Sequence, residues 1–191
     1  MNYIHYKLQH DILRQKLMSG NGQNQLGILL MKLCNHLTLD NMLKPPSVIY
    51  FGSHGDPLYS WLSNFNRSII MLDGLTWTTV EHYFQAMKFT DPEFREQIRD
   101  SNTPMQAKRL GQSRHVSFRS DWESVKEEVM MKAIREKFTY YEQFTHKLLD
   151  TGDDIIVEHT KWDKYWGDGP DGSGKNRLGI LLMQLRNELR T

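Results

Sequence analysis

Cysteine is nearly absent. Cys34 stands alone in 191 residues, so no intramolecular disulfide and no thiolate metal cluster can form, which fits a reducing compartment and makes the cytoplasm the expected location. An excess of one charge is missing too: 24 Lys and Arg face 23 Asp and Glu, a formal net charge of +1. A general nucleic-acid binder needs a marked basic excess or a dense basic stripe, so that class is disfavoured, while a local basic pocket stays open. Long apolar runs are also lacking. Runs such as Ile28 to Met31 are far too short for a bilayer, and Met1 to His10 carries no apolar signal-peptide core, so neither membrane insertion nor export is expected. The 8 histidines are scattered, with His82, His115, His146 and His159 each standing alone. Surface or internally satisfied histidines are the reading, with no metal and no other cofactor.

What is present is a chain able to build one real hydrophobic core, 39% apolar and 11% aromatic. It also carries an internal copy. Gly20 to Leu37 (GNGQNQLGILLMKLCNHL) and Gly172 to Leu189 (GSGKNRLGILLMQLRNEL) are identical at 12 of 18 positions, including the unbroken run Leu26 to Met31. The likeness stops upstream, so one helix and its Gly-rich entry are duplicated, not a solenoid unit. Lys44-Pro45-Pro46-Ser47 cannot be helical and sets an expected boundary between a 1–47 extension and a 48–191 domain. Met1 to Lys44 holds 5 basic and 2 acidic residues, leaving 19 basic and 21 acidic residues in the remainder. The copied helix is expected to be able to occupy the groove of the closing helix, in the same chain or in a homodimer, or to be a remnant of gene duplication.

In the main body, Val48 to Phe51, Ser68 to Leu72 and Ile155 to Glu158 read as strands, with Asp73-Gly74 as a hairpin turn. Thr78-Thr79-Val80-Glu81 fits a capping box opening a helix to Phe89, and Asp91-Pro92 and Thr103-Pro104 each set an N-cap before a first-turn proline. Ser120-Asp121-Trp122-Glu123 reads as another capping box, opening a helix to about Phe138; Tyr141 to Leu149 and Asn176 to Arg190 complete the helices. The fold class is α+β, mostly helical, with a few short antiparallel strands.

Two segments carry candidate chemistry. Glu81, Gln85 and Lys88 share a helix face at spacings of four and three, with Phe84 and Met87 on other faces. A carboxylate, an amide and an ammonium together can hold a polar ligand, yet Glu81 sits where a capping-box glutamate sits and such a stripe is ordinary solvated surface, which on these residues alone is the better reading. Thr160 to Gly174 (TKWDKYWGDGPDGSG) is harder to read as surface, since it crowds Trp162, Tyr165 and Trp166 with Asp163, Asp168 and Asp171 before a helix start. Rings there can stack on a flat base, although aspartate-glycine pairs are also turn chemistry and tryptophans can plug a core. Gly169 to Asn176 falls one residue short of a Walker A loop and lacks the buried strand before it, so a P-loop NTPase is rejected. Lys108, Arg109, Arg114 and Arg119 form a cation cluster, usually a solvated face but also the set a phosphate clamp needs.

Taken together, Leu62-Ser-Asn-Phe65, the run Thr76 to Phe89, Asp121 to Lys126, Val157 to Thr160, Asp163 to Gly169 and Gly174 to Gly179 resemble the NADAR superfamily, in particular its YbiA-like members, over roughly Ile49 to Arg190. The resemblance implies a metal-independent N-glycosidase that cleaves C1′ of a 5′-phosphorylated ribose from an exocyclic nitrogen. The substrate is then either an early riboflavin-biosynthesis intermediate or ADP-ribosylated guanine, free or in DNA; a non-catalytic ADP-ribose or nucleotide-binding module is the alternative. It assigns Glu81 as general acid/base and matches Trp122, Asp163 and Trp166 to family motifs, with Asp168 beside them; Asp163 and Lys88 are the further catalytic candidates. Asn64, Gln85 and Asn176 join as substrate-binding candidates, and Lys88, Arg109, Arg114 and Lys175 as candidates around the phosphate, Lys88 alternatively as a Schiff-base amine. Gly111-Gln112 stands where Gly-Arg is frequent, which removes one expected phosphate contact.

Overall fold

The computed structural model describes residues 46–190. The expectations for the extension and its copied helix therefore lie outside the described residues. Four short strands, β1 (Val48–Phe51), β2 (Ile70–Leu72), β3 (Leu75–Trp77) and β4 (Ile155–Glu158), accompany six α-helices: α1 (Val80–Ala86), α2 (Pro92–Arg99), α3 (Pro104–Leu110), α4 (Trp122–Tyr140), α5 (Glu142–Asp150) and α6 (Arg177–Leu189). A 3₁₀ helix, Pro57–Leu62, which the sequence reading did not anticipate, follows β1. The class is α+β and mostly helical, as the sequence implies. Among the described residues no helix is long and apolar enough to cross a membrane.

The helix starts follow local chemistry. Asp91 accepts from the backbone N–H groups of Glu93 and Phe94, and Thr103 accepts from that of Gln106, each one residue before the proline. The two capping boxes do not form. Thr79 is the N-cap of α1, so Glu81 stands one residue too early for the return bond, and Asp121 spends its carboxylate on Arg119 at 2.6 and 2.8 Å instead of capping α4.

The strands form two pairs of opposite sense. β2 and β3 are the expected antiparallel hairpin, turning through Asp73 and Gly74, both at positive φ. β1 and β4, distant in sequence, pair in parallel, Val48 with Ile155 and Phe51 with Glu158, which corrects the wholly antiparallel expectation. The chain between them is long and largely helical, as parallel crossovers usually are. α6 closes on β4 at Gly179, where a Cβ would fall 2.1 Å from the carbonyl oxygen of Ile156. The core runs from Phe51 and Leu62 through Trp77, Tyr83 and Phe89 to Ile134, Phe138 and Leu182.

Candidate active site

Helix α1 has no solvated face. Every residue from Val80 to Ala86 is buried, because α2, α3, α4 and β3 all pack against this one short helix. Polar side chains on it must therefore find partners. His82 does so internally, with Nδ1 2.7 Å from the Thr79 hydroxyl and Nε2 3.1 Å from the Ser101 carbonyl, which makes it a satisfied core histidine. Glu81 is only 6% exposed; its backbone N–H donates to the Asn64 carbonyl at 3.2 Å, and Gln85 Nε2 donates to its Oε1 at 2.7 Å. The solvated-stripe reading of Glu81, Gln85 and Lys88 fails here.

These side chains open onto a cavity of about 170 Å³. Six sequence-predicted residues line it, namely Asn64, Glu81, Gln85, Lys88, Asp163 and Trp166, together with Phe65, Phe84, Lys108, Gln112, Met130, Glu158 and Thr160. Phe84 thus joins the site it was expected to face away from. Asp163 Oδ1 accepts from the backbone N–H groups of Tyr165 and Trp166, both at 2.8 Å, so it shapes the turn that delivers the Trp166 ring. That turn is fastened from outside by Glu127, which receives the Tyr165 hydroxyl at 2.6 Å and the Arg177 guanidinium at 2.7 and 2.5 Å.

Six predicted residues do not line the cavity. Trp122 is buried behind Phe84, ring centroids 5.1 Å apart, and so backs the wall. Asp168 spends one oxygen on His159 Nδ1 at 2.7 Å and the other on the Thr160 N–H at 3.0 Å. Asn176 clamps strand β4, accepting from the Glu158 N–H at 2.9 Å and donating to the Ile156 carbonyl at 2.8 Å. Arg109 and Arg114 are exposed, and Lys175 lies exposed with its ammonium 5.3 Å from the Tyr165 ring centroid. The cation that faces the cavity from α3 is instead Lys108, about 100° around the helix from Arg109.

The electrostatics are those of a poorly solvated, crowded cavity. Burial raises the Glu81 carboxyl, while the Gln85 bond and the Lys108 and Lys88 charges pull it back down. Burial also drives the Lys88 ammonium down to about 8 against the pull of Glu81; its Nζ donates to the Gly111 carbonyl at 3.4 Å and lies 5.6 Å from the Phe84 centroid. Glu158, the most consequential residue that sequence reasoning missed, is pushed up to about 8 by burial and then by Asp163 and Glu81. A glutamate ending a strand reads as surface, and only its place inside the Val157–Thr160 motif signalled otherwise. Phe65 lines a second, larger and polar groove of about 510 Å³ as well, shared with Arg67, Thr76, Thr78 and Asn102.

Known proteins carry the same body. N-glycosidase YbiA of Escherichia coli is 51% identical over 143 residues, covering 75% of this chain and 89% of that protein. A riboflavin biosynthesis protein of Vibrio vulnificus is 38% identical over 150 residues, covering 78% of this chain and 40% of the relative. The solution NMR structure of Escherichia coli YbiA superposes with a TM-score of 0.70 at 49% identity, covering 78% of this chain and 88% of that one. Residues 50–190 match the NADAR domain, a span that holds every cavity-lining side chain named above, and the chain belongs to the NADAR family.

Proposed function

We propose that this N-glycosidase hydrolyses the bond between C1′ of a 5′-phosphorylated ribose and an exocyclic nitrogen of a flat heterocycle. The observation that carries the reading is Glu81: a buried carboxylate held by Gln85 in a cavity that also holds two more carboxyl groups and the ammonium groups of Lys88 and Lys108. C–N cleavage builds positive charge on the sugar, which a fixed carboxylate in a poorly solvated site stabilises far better than water does. Glu81 also takes the proton of the attacking water. Phe65, Phe84 and Trp166 offer ring surface to the heterocycle, and Lys108 is the cation placed for the phosphate. The Lys88 ammonium, lowered to about 8, favours a second route in which its neutral amine forms a Schiff base with the opened sugar.

The carboxyl and ammonium groups lining the cavity suit the phosphoribosyl end of a ribosylamine phosphate, and one relative is named for riboflavin biosynthesis. A riboflavin-pathway intermediate is therefore the favoured substrate. ADP-ribosylated guanine would extend past Phe65 into the groove beside Arg67. The test is a product assay on both compounds, with a borohydride quench to trap any Lys88 adduct. Release of ribose 5-phosphate from the intermediate is expected, and Glu81→Gln should abolish turnover while retaining binding. Tight binding without product from either compound would select a non-catalytic binding module instead, and full activity in Glu81→Gln would overturn the role given to Glu81.

A further inference from the structure

We infer that Glu158 is a second catalytic carboxyl: it protonates the departing nitrogen while Glu81 works as the carboxylate. The inference rests on the N-glycosidase reading and extends it to the leaving group, which an exocyclic amine cannot become without a proton.

The three cavity carboxyls differ in what surrounds them. Glu81 receives the Gln85 amide hydrogen and Asp163 receives two backbone N–H groups, whereas among the described residues no hydrogen bond reaches the Glu158 carboxyl. Its main chain, by contrast, is fixed on three sides. Phe51 stands opposite it in the parallel pair, the Asn176 side chain accepts from its N–H at 2.9 Å, and its carbonyl accepts from the Asp168 N–H at 3.0 Å. A carboxyl without donors, lining a cavity with other acids, has no hydrogen bond to favour its charged form over the protonated one. Asp163, Glu81 and Asp168 face it with like charge, and of the cations around it Lys108 opposes them; burial and these acids together place it at about 8. Burial raises both Glu81 and Glu158, and what distinguishes them is the donor: the Gln85 amide favours the charged form of Glu81 and, among the described residues, nothing comparable reaches Glu158, an asymmetry that assigns base to the first and acid to the second.

The step balances. The O–H bond of Glu158 breaks and an N–H bond forms on the exocyclic nitrogen as the C1′–N bond breaks, its electron pair going to nitrogen. Water attacks C1′, forming the new C–O bond, and its proton passes to Glu81. The products are the free heterocyclic amine and ribose 5-phosphate, and solvent exchange returns the proton to Glu158.

The experiment compares two substrates: the ribosylamine phosphate, and a 4-nitrophenyl ribofuranoside 5-phosphate whose phenolate leaves unprotonated. Glu158→Gln should lose roughly 10²- to 10⁴-fold in kcat on the ribosylamine and far less on the nitrophenyl compound, while Glu81→Gln should fail on both. In the unaltered protein, kcat/KM on the ribosylamine should fall above an apparent pKa near 8, and the nitrophenyl compound should show no such limb. An undiminished ribosylamine rate in Glu158→Gln, or equal losses on both substrates with an unchanged far-UV spectrum, would overturn the assignment. If that variant does not fold, the two pH profiles decide alone, and identical profiles refute it. An unaltered protein that cleaves neither compound would bring down the glycosidase reading itself.

Discussion

Gly111 provides the sharpest test of how Glu81 is held. It follows α3 with φ near −65°, a conformation open to any residue, so nothing in its backbone calls for glycine. What calls for it is contact. A Cβ there would fall 2.0 Å from Gln85 Oε1 and 2.8 Å from Gln85 Cβ and Cδ. Gln85 is 4% exposed and sits in a fully buried helix, so it cannot swing aside into solvent, and Gly111→Ala must displace its amide. The 2.7 Å bond to Glu81 is then lost. A hydrogen bond to an ionised group is worth about 1.5–3 kcal/mol, so kcat should fall roughly ten- to hundredfold if the carboxylate loses that much orientation and stabilisation.

The pH profile supplies the sign. Burial raises the Glu81 carboxyl and Gln85 lowers it; removing Gln85 leaves burial less opposed, so the carboxyl rises further. A base active as the carboxylate then needs a higher pH, and the acid limb of kcat/KM should move to higher pH. Gln85→Ala should reproduce both effects, and the double variant should be no worse than Gln85→Ala alone, since both changes remove the same bond. Steady-state rates across pH, with urea denaturation as a control, measure this. Additive losses, or a Gly111→Ala enzyme with an unshifted acid limb, would refute the reasoning. Stability need not fall in parallel, because Gly to Ala at a permitted φ stiffens the unfolded chain by about 0.4–1 kcal/mol in the opposite direction.

The remaining predictions concern what supports the site. Gly179→Ala puts a Cβ 2.1 Å from the Ile156 carbonyl and 2.5 Å from the Asn176 amide, so α6 must lift from β4; a loss of about 1–3 kcal/mol in urea unfolding is expected, with reduced activity because Glu158 rides on that strand. Lys137 is fully buried and donates to the carbonyls of Trp61 at 2.7 Å and Ser63 at 2.9 Å, pinning the segment that presents Asn64. Burial lowers its ammonium from 10.5 to about 7. Between those values the unfolded chain binds the proton that the folded chain has released, so this group makes stability rise with pH across that window. Lys137→Met should remove that rise and cost more at pH 9 than at pH 6, read from unfolding curves at both.

What was legible in the sequence was local. Asp91-Pro92 and Thr103-Pro104 start helices because the cap and the proline lie within one turn of the groups they satisfy, and Asp73-Gly74 turns the hairpin on its own backbone preferences. A helical wheel likewise put Glu81, Gln85 and Lys88 on one face. It could not say that α2, α3 and α4 would cover that face and turn an apparent solvated stripe into a cavity wall. Nor does it phase α3, where Lys108 and not its neighbour Arg109 faces inward. Type and motif point to Trp122, Asp168 and Asn176, and the structure gives each a supporting contact, with Phe84, His159 and β4 respectively, partners that are either distant in sequence or fixed only once the loop has folded.

The consequence is that the site depends on its closing helix. β4 carries Glu158, and α6 holds β4 through Asn176 and the close approach at Gly179, while Arg177 ties the helix to Glu127, and Arg186 ties it to the Thr151 hydroxyl and the Asp154 carbonyl. The copied segment divides along this line. Asn24 and Gly27 stand where Asn176 and Gly179 stand, whereas Gln25 and Cys34 replace Arg177 and Arg186. The strand-docking pair is retained and both arginine anchors are gone. In sequence, then, residues 20–37 share with the closing helix the two residues that meet β4 and lack the two arginines that tie that helix to its surroundings.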